Sequence, residues 1–111
     1  MAACIFCSLA EGPEDKLVYR DELVAAFNDV NPQAPVHVLI VPRRHIESVE
    51  KVDDPQLLAA LFEAAHRIAR DRGVDKSGYR LLFNVGPDAL QSVFHVHLHL
   101  IGGRRMGWPP G

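Results

Sequence analysis

The chain has 111 residues, 48% of them hydrophobic, which suits one compact domain over residues 1–111 with a hydrophobic core. Its formal net charge is -2 at pH 7 and it has no basic run, so it lacks the surface of a general nucleic-acid binder. No apolar run approaches the roughly 20 residues of a membrane span, and the first ten residues lack a basic secretory leader. We therefore expect a cytoplasmic protein without a nucleic-acid or membrane partner.

The first motif along the chain is Cys4-x-x-Cys7, which contains the only two cysteines of the sequence. Two cysteines exclude a disulfide-rich scaffold. From the residues alone, packing of small side chains in a core is favoured, with half a zinc site and a redox pair as alternatives. A zinc site needs two further ligands, and the sequence has no second local Cys or His pair. A thioredoxin-like redox pair needs a βαβ context, which is missing.

Two short apolar runs, 17–20 and 23–27, predict a β-hairpin across Asp21-Glu22, although this turn lacks the glycine that hairpins favour. The Asn, Asp and Pro content of 28–35 predicts a loop. Its carboxylate, Asp29, is either a turn cap or an acceptor for sugar hydroxyls, which a carboxylate can bind in pairs.

The β-branched run 36–41 predicts a buried central strand, which Pro42 ends. His37 lies inside this run and is interpreted as structural. His45 follows the strand, where it either lies on the surface or projects toward a catalytic row on a neighbouring strand.

A helix is predicted after Asp54, which suits the N-cap, with Pro55 at the first helical position and Gly73 as the C-terminal stop. Its apolar stripe at helical spacing consists of Leu57, Leu58, Leu61, Ala64, Ala65 and Ile68. A further strand is predicted at 78–84, and 85–93 is the loop that leads to the last strand.

Three histidines, His95, His97 and His99, alternate with apolar residues in that last strand. Successive side chains of an extended strand point to opposite faces, so we expect a row of three imidazoles toward solvent and an apolar row in the core. Imidazole titrates near neutral pH, transfers protons, ligates metals and attacks phosphorus. The three together therefore favour a catalytic role over a structural one.

The elements sum to an α+β fold with an antiparallel sheet of about five strands and one main helix. Residues 102–111 form a tail without periodicity. Its Trp108 is expected to dock on its own domain or on a partner.

These residues resemble the Hint branch of the histidine triad superfamily. The pattern His-x-His-x-His followed by apolar residues is met at 95–101, and the terminal Trp-Pro-Pro-Gly at 108–111 also matches. Further similar segments occur in order at 4–7, 27–29, 32–35, 42–45 and 91–93. The resemblance implies a homodimer, with the five-stranded sheets joined across the two copies and the tail of each reaching its partner's site.

By the same resemblance, the protein binds purine nucleotides such as AMP or GMP. It hydrolyses nucleoside 5′-phosphoramidates and acyl- or aminoacyl-adenylates to the nucleoside monophosphate, without a cofactor or catalytic metal. His97 matches the nucleophile, Asp29 the ribose acceptor, and His45 an upstream supporting histidine. The implied catalytic residues are His45, Ser92, His95, His97 and His99. The implied substrate-binding residues are Ile5, Phe6, Leu9, Phe27, Asn28, Asp29, Val30, Asn84, Gln91, Ser92, Val93, His97, His99 and Trp108.

Two departures from the Hint pattern stand out. Ala89 and Leu90 occupy positions where relatives commonly carry glycine, which makes a positive φ costly there. Asn28 replaces a histidine of some relatives and is expected to affect base preference.

The implied mechanism begins with attack of His97 on the α-phosphorus, which forms a nucleotidyl-histidine that water then hydrolyses. The second ring nitrogen of His97 must be held as N–H, and since the triad run has no carboxylate, we expect a backbone carbonyl as its acceptor. His45 and His95 are expected to act as a supporting relay. Ser92 is expected to pass a proton to the leaving amine.

Besides a nucleotide-binding partner protein whose activity is incidental, two alternatives remain open from the sequence. The first is a dinucleoside polyphosphate hydrolase of the Fhit kind. The second is a zinc-binding, nucleotide-binding adaptor in which Cys4, Cys7, His45 and His95 form a tetrahedral site.

Overall fold

A computed structural model describes residues 4–111. Its helices are α1 (Ile5–Ala10) and α2 (Pro55–Asp71), with short 3₁₀ turns at Glu14–Lys16 and Val49–Lys51. Its strands are β1 (Tyr19–Arg20), β2 (Val24–Asn28), β3 (Val36–Pro42), β4 (Tyr79–Leu82) and β5 (Leu98–Gly102). They form one antiparallel sheet in the order β1-β2-β3-β5-β4. Within residues 4–111, the predicted α+β fold with five strands and one main helix is confirmed.

The β1–β2 hairpin turns without glycine because the Asp21 side chain replaces part of the turn's backbone pairing. Its Oδ1 accepts hydrogen bonds from the backbone N–H of Leu23 and Val24, at 2.8 and 2.9 Å. An aspartate that bonds to nearby backbone N–H groups is a common turn former. This sets the register in which Tyr19 pairs with Ala26.

Helix α2 begins as predicted. Asp54 is the N-cap and accepts a hydrogen bond from the Gln56 N–H at 3.0 Å, Pro55 takes the first helical position, and Gly73 follows the end with φ of 74°. The helix buries its apolar stripe on one face of the sheet. No helix in the described part of the chain is long and apolar enough to cross a membrane.

Alternate residues of the central strands serve the two faces of the sheet. Val38 and Ile40 of β3 point to the α2 face, whereas Leu39 and Val41 point to the opposite face, which α1 covers only in part. On that second face, Phe6 and Ala10 of α1 pack against residues of β2 and β3. The sequence analysis did not predict α1.

The last strand begins later than predicted. β5 starts at Leu98, so His95 and His97 precede it in an irregular segment, and both are buried, with 0% and 8% of their surface exposed. The expectation of three solvent-facing imidazoles on one strand was therefore wrong, although Val96 and Leu98 do enter the α2-face core. The reason lies in β3, where Pro42 has no N–H with which to extend the ladder. Its carbonyl instead accepts a hydrogen bond from the His95 ring.

Candidate active site

The face of the sheet away from α2 carries a cavity of about 540 Å³ between α1, the ends of β2 and β5, and the loop before β5. Its lining is Ile5, Phe6, Leu9, Phe27, Asn28, Asp29, Val30, Leu39, Ser92, Val93, His97 and His99. We call this cavity the slot. Most of its wall is apolar, and its polar groups converge at one end, as in a site for a small ligand with a flat apolar part and a polar part.

His97 presents one free ring nitrogen to the slot. Its Nδ1 donates a hydrogen bond to the backbone oxygen of His95 at 2.8 Å, so Nδ1 carries the proton and Nε2 keeps a lone pair. The edge of the Phe6 ring packs against the imidazole, with centroids 5.0 Å apart at 78°. The acceptor is a backbone carbonyl, as we expected because this segment contains no carboxylate. The arrangement suits a nucleophile.

A second chain of hydrogen bonds orients His99. The backbone N–H of Gln33 donates to Nδ1 of His37 at 3.0 Å, which leaves the proton of a neutral His37 on Nε2. That nitrogen lies 2.9 Å from Nδ1 of His99, so it donates there, and the proton of His99 resides on Nε2. His99 Nε2 is buried and has no hydrogen-bond partner among residues 4–111. It is a donor that could bond to an acceptor on a ligand in the slot.

Burial keeps both of these imidazoles neutral. Desolvation is the main cause that lowers the pKa of His99 to about 4, with the nearby His97 and His37 rings adding to it. Desolvation likewise lowers the pKa of His37, although the Asp29 carboxylate partly opposes the shift. Above about pH 5, His99 is therefore a neutral donor rather than a cation.

Asp29 combines the two roles that the sequence left open. One carboxylate oxygen caps a turn by accepting the Asn31 N–H at 2.9 Å. The other oxygen lies 3.4 Å from Nε2 of His37, and the side chain, which is 19% exposed, lines the slot. The second oxygen can thus accept hydrogen bonds from a ligand.

The loop before β5 is held by Gln91. Its Oε1 accepts the N–H of Gly86 at 3.0 Å, and its Nε2 donates to the carbonyl of Glu47 at 2.9 Å. Leu90, next to it, has φ of 63° and is 81% exposed. Gln91 thus serves to fix the loop, which places Ser92 at the slot.

Four side chains of metal-binding type converge behind the triad. The Nδ1 of His95 lies 3.4 Å from the Sγ of Cys4, 3.4 Å from the Sγ of Cys7 and 3.3 Å from Nδ1 of His45. The Sγ of Cys7 lies 3.4 Å from Nδ1 of His45. We call these four residues the Cys2His2 cluster. Since Nε2 of His95 donates to Pro42, its Nδ1 presents a lone pair to the cluster.

The structure brings most of the implied binding residues to the slot, but not all of them. Asn84, Gln91 and Trp108 do not line it, and Trp108 is 83% exposed. Asn28 lines it, yet its side-chain oxygen accepts a hydrogen bond from Arg72 after α2 at 3.1 Å. His45 contacts Cys7 and His95 and does not line the slot.

The local sequence pattern does not indicate that His37 contacts the triad. His37 was interpreted as structural, but it is the histidine that bonds to the triad from a neighbouring strand. The alternation of side chains along β3 could have indicated this contact. His37 shares its face of β3 with Leu39 and Val41, and that face is turned toward α1 and the slot.

The fold and this site together define a class, namely α+β proteins in which a histidine triad meets an apolar slot. The chain belongs to the HIT family, because the model described as "HIT domain" matches residues 11–106. It is 44% identical over 99 residues to the 14 kDa zinc-binding protein of Zea mays, with 86% of this chain and 77% of that protein covered.

Two solved structures of similar proteins illustrate the match in fold. A HIT family hydrolase from Legionella pneumophila is 43% identical, with a TM-score of 0.91 over 98% of this chain and 100% of that one. A histidine triad nucleotide-binding protein from Candida albicans is 29% identical, with a TM-score of 0.81 over 96% of this chain and 83% of that one.

Proposed function

We propose that this protein is a hydrolase of the Hint branch that binds purine nucleotides and cleaves nucleoside 5′-phosphoramidates and acyl- or aminoacyl-adenylates to the nucleoside monophosphate. The observation that carries the proposal is the free Nε2 of His97, which faces the slot while Nδ1 is bonded to the His95 carbonyl. The names of similar proteins, a hydrolase and a nucleotide-binding protein, support the same class.

In the first step, Nε2 of His97 attacks the α-phosphorus, a P–N bond forms to the enzyme, and the bond from phosphorus to the leaving group breaks. The leaving amine takes a proton, for which Ser92 is the exposed hydroxyl at the slot. In the second step, water attacks the phosphorus of the nucleotidyl-histidine, the P–N bond to His97 breaks, and the proton released by water restores the Ser92 hydroxyl as the nucleoside monophosphate leaves. Two displacements thus replace one difficult one.

The His37–His99 chain supplies the electrostatic part of catalysis. A neutral His99 with its proton on Nε2 can donate to a non-bridging phosphate oxygen on which charge develops. Because His37 fixes that tautomer from the far side, the donor needs no reorganisation during the reaction. The other end of the substrate is bound by apolar contact with Phe27 and Leu9, and Asp29 accepts hydrogen bonds from ribose hydroxyls.

The test compares two substrates on the purified protein. We expect adenosine 5′-phosphoramidate to be hydrolysed to AMP much faster than a diadenosine polyphosphate, with a nucleotidylated His97 trapped by rapid quench and mass spectrometry. Faster cleavage of the polyphosphate would favour an Fhit-like function instead. If neither substrate is hydrolysed, the proposal is wrong.

We further propose that the Cys2His2 cluster holds a zinc ion. Two thiolates and two imidazoles are a usual structural zinc set, and a tetrahedral zinc with ordinary bond lengths separates its ligand atoms by about 3.3–3.8 Å. The N–N and N–S separations of 3.3 and 3.4 Å in the cluster fit that geometry. A zinc ion there would join α1 to His45 and His95 and stabilise the fold, without contact with the substrate. The Zea mays relative carries zinc binding in its name.

Elemental analysis of protein purified without added metal tests the zinc site. We expect about one zinc per chain, falling below a tenth of that in His45→Ala. A matched control is His66→Ala, which removes an exposed histidine on α2 and should keep the metal. Equal zinc content in both variants would show that the cluster is not the site.

Finally, we propose a homodimer. β4 is an edge strand, with a neighbour on one side only within residues 4–111, and Phe94 and Trp108 expose 62% and 83% of their surface. Pairing of two β4 strands would extend the sheet across the dimer and bring each tail near its partner's slot. Light scattering after size exclusion should give twice the 12.3 kDa chain mass.

A further inference from the structure

His95 belongs to two sites at once. Its ring nitrogen Nδ1 faces the Cys2His2 cluster, at 3.3–3.4 Å from the other three residues. Its backbone oxygen accepts a hydrogen bond from Nδ1 of His97 at 2.8 Å, which fixes the tautomer of His97. The ring is held on its other side by the Pro42 carbonyl, also at 2.8 Å, and the whole residue is buried. A shift of His95 as a whole would therefore move the carbonyl that bonds to the nucleophile.

Helix α1 is the second link between the two sites. Cys4 is its N-cap and Cys7 lies in its first turn, so two cluster residues flank Phe6 in sequence. Phe6 packs against His97 at 5.0 Å and against Phe27 at 5.3 Å, and both contacts belong to the slot. One end of α1 therefore lies at the cluster while its side forms a wall of the slot.

The length of α1 makes this link sensitive. The helix has six residues, and helices shorter than about 12 residues are marginal by themselves in water. Its order depends on what binds its side chains, namely the small core around Phe6 and the cluster at Cys4 and Cys7. A ligand that orders α1 from one side reduces the entropy that a ligand on the other side must overcome.

We propose that metal binding at the Cys2His2 cluster and nucleotide binding in the slot are positively coupled, with α1 and His95 as the shared elements. The inference rests on both proposed functions and adds a regulatory link between them. Coupling of binding free energies is reciprocal, so zinc tightens the nucleotide by the same factor by which the nucleotide tightens zinc. We expect a factor of about ten, within the range usual for coupled sites.

The experiment measures both halves of the linkage on the full chain. AMP affinity is measured by calorimetry for zinc-loaded and chelator-stripped protein, and zinc affinity by competition with a chromophoric chelator, with and without saturating AMP. We expect about a tenfold change in each, and slower hydrogen exchange of the α1 amides when zinc is bound. If zinc and AMP both bind but each affinity stays within twofold, the coupling is wrong and the two functions stand.

Two variants, with one control, keep the test valid if the chelator-treated, zinc-free protein loses structure. His45→Ala removes an exposed ligand that does not line the slot, so we expect it to bind AMP about tenfold more weakly than zinc-loaded wild type, and without response to zinc. Phe6→Leu keeps all four ligands but weakens the contact with His97, so it should bind zinc normally and lose most of the coupling. Phe62→Leu, the same change on α2, should retain it.

The failures are distinguishable. Absence of zinc binding in wild type would remove the zinc proposal and the coupling together, while nucleotide hydrolysis could still be observed. Absence of AMP binding in zinc-loaded wild type would remove the nucleotide proposal. An AMP affinity of His45→Ala equal to that of zinc-loaded wild type would overturn the coupling alone.

Discussion

The two faces of the sheet are made by the same strands and differ in almost everything else. The α2 face is sealed by a 17-residue helix and is apolar throughout, with Ile40, Leu61 and Leu100 fully buried. The opposite face is covered by the six-residue α1 and contains buried imidazoles and the slot. Burial stabilises the first face, whereas burial on the second depresses histidine pKa values, which costs stability below about pH 6.5. The difference indicates that the fold rests on one face and the chemistry on the other.

The largest expected effect comes from the slot face, at His97. Substitution His97→Asn removes the nucleophilic nitrogen while leaving a polar side chain of similar reach. We expect kcat for an adenosine phosphoramidate to fall at least about a thousandfold, as is usual when a covalent nucleophile is lost. AMP affinity, measured by calorimetry, should change by less than about fivefold. Turnover near the wild-type value would show that another residue attacks the phosphorus.

The next residue, Leu98, faces the other side and should give the opposite result. It is 1% exposed within the α2-face core, so Leu98→Ala leaves a cavity and should lower the free energy of unfolding by about 2–5 kcal/mol. Denaturant titration measures that loss. At a temperature where the variant remains folded, kcat should stay within about threefold of wild type. A large loss of kcat with little loss of stability would contradict the division between the faces.

A smaller effect is expected at His37, which acts on the slot from β3. His37→Asn breaks the bond that fixes the His99 tautomer, so His99 no longer presents its Nε2 proton reliably. We expect kcat to fall about tenfold to a hundredfold, with little change in KM because His37 does not line the slot. Steady-state kinetics from pH 5 to 9 measures this. An unchanged kcat throughout that range would leave His37 with the structural role that its sequence context indicates.

Local patterns were enough to predict the α2 face. The cap at Asp54, the helical stripe and the β-branched run of β3 are each contained in a few consecutive residues, and each was found. The late start of β5 was not predictable in this way, because it depends on Pro42 in a neighbouring strand. Helix α1 was missed because six residues hold too few turns to show a periodicity.

The slot face depends on contacts between distant parts of the chain. His95 meets Cys4 across 91 positions, and His37 meets His99 across 62. A histidine in a β-branched strand gives no local indication of which side chain it will meet, so His37 was interpreted as structural. The resemblance to a known family predicted most of the slot residues. The strand order was needed to show that His37 contacts His99 whereas His45 belongs to the Cys2His2 cluster.

The pH dependence of stability should also distinguish the two faces of the sheet, because the buried histidines lie on the slot face. The folded-state pKa of His99 is about 4, and those of His37 and His95 are also lowered, in each case mainly by burial. The unfolded chain therefore binds more protons than the folded chain between about pH 6.5 and pH 4. The free energy of unfolding should fall as pH falls through that window, and His99→Asn should reduce the slope.

Measurement by denaturant titration between pH 7 and pH 5.5 keeps the carboxylates ionised in both the folded and the unfolded chain. Glu11 and Asp21 have lowered pKa values, the first through its hydrogen bond to Arg43 and the second through its hydrogen bonds to Val24, Tyr19 and Leu23 against an opposing burial cost. Their contribution to stability is lost only as pH falls below their ordinary values. The same slope in wild type and His99→Asn would show that His99 does not remain neutral in the folded protein.

The smallest effect concerns strain in the loop that leads to the slot. Leu90 has φ of 63°, a conformation that costs a residue with a side chain about 1–2 kcal/mol, while its side chain is 81% exposed and has little packing to lose. Leu90→Gly relieves this strain but also adds freedom to the unfolded chain, which offsets about 0.5–1 kcal/mol, so the free energy of unfolding should rise by about 0.5–1 kcal/mol. Its neighbour Ala89 has no positive φ, so Ala89→Gly should lower stability by a similar amount, because glycine only adds freedom to the unfolded chain. Comparison of Leu90→Gly with Ala89→Gly separates the effect of backbone strain from that of adding a glycine, because both changes create glycine in the same turn. Destabilisation by both would mean that the left-handed conformation at Leu90 is not strained in solution, and the loop would then owe its shape to Gln91 alone.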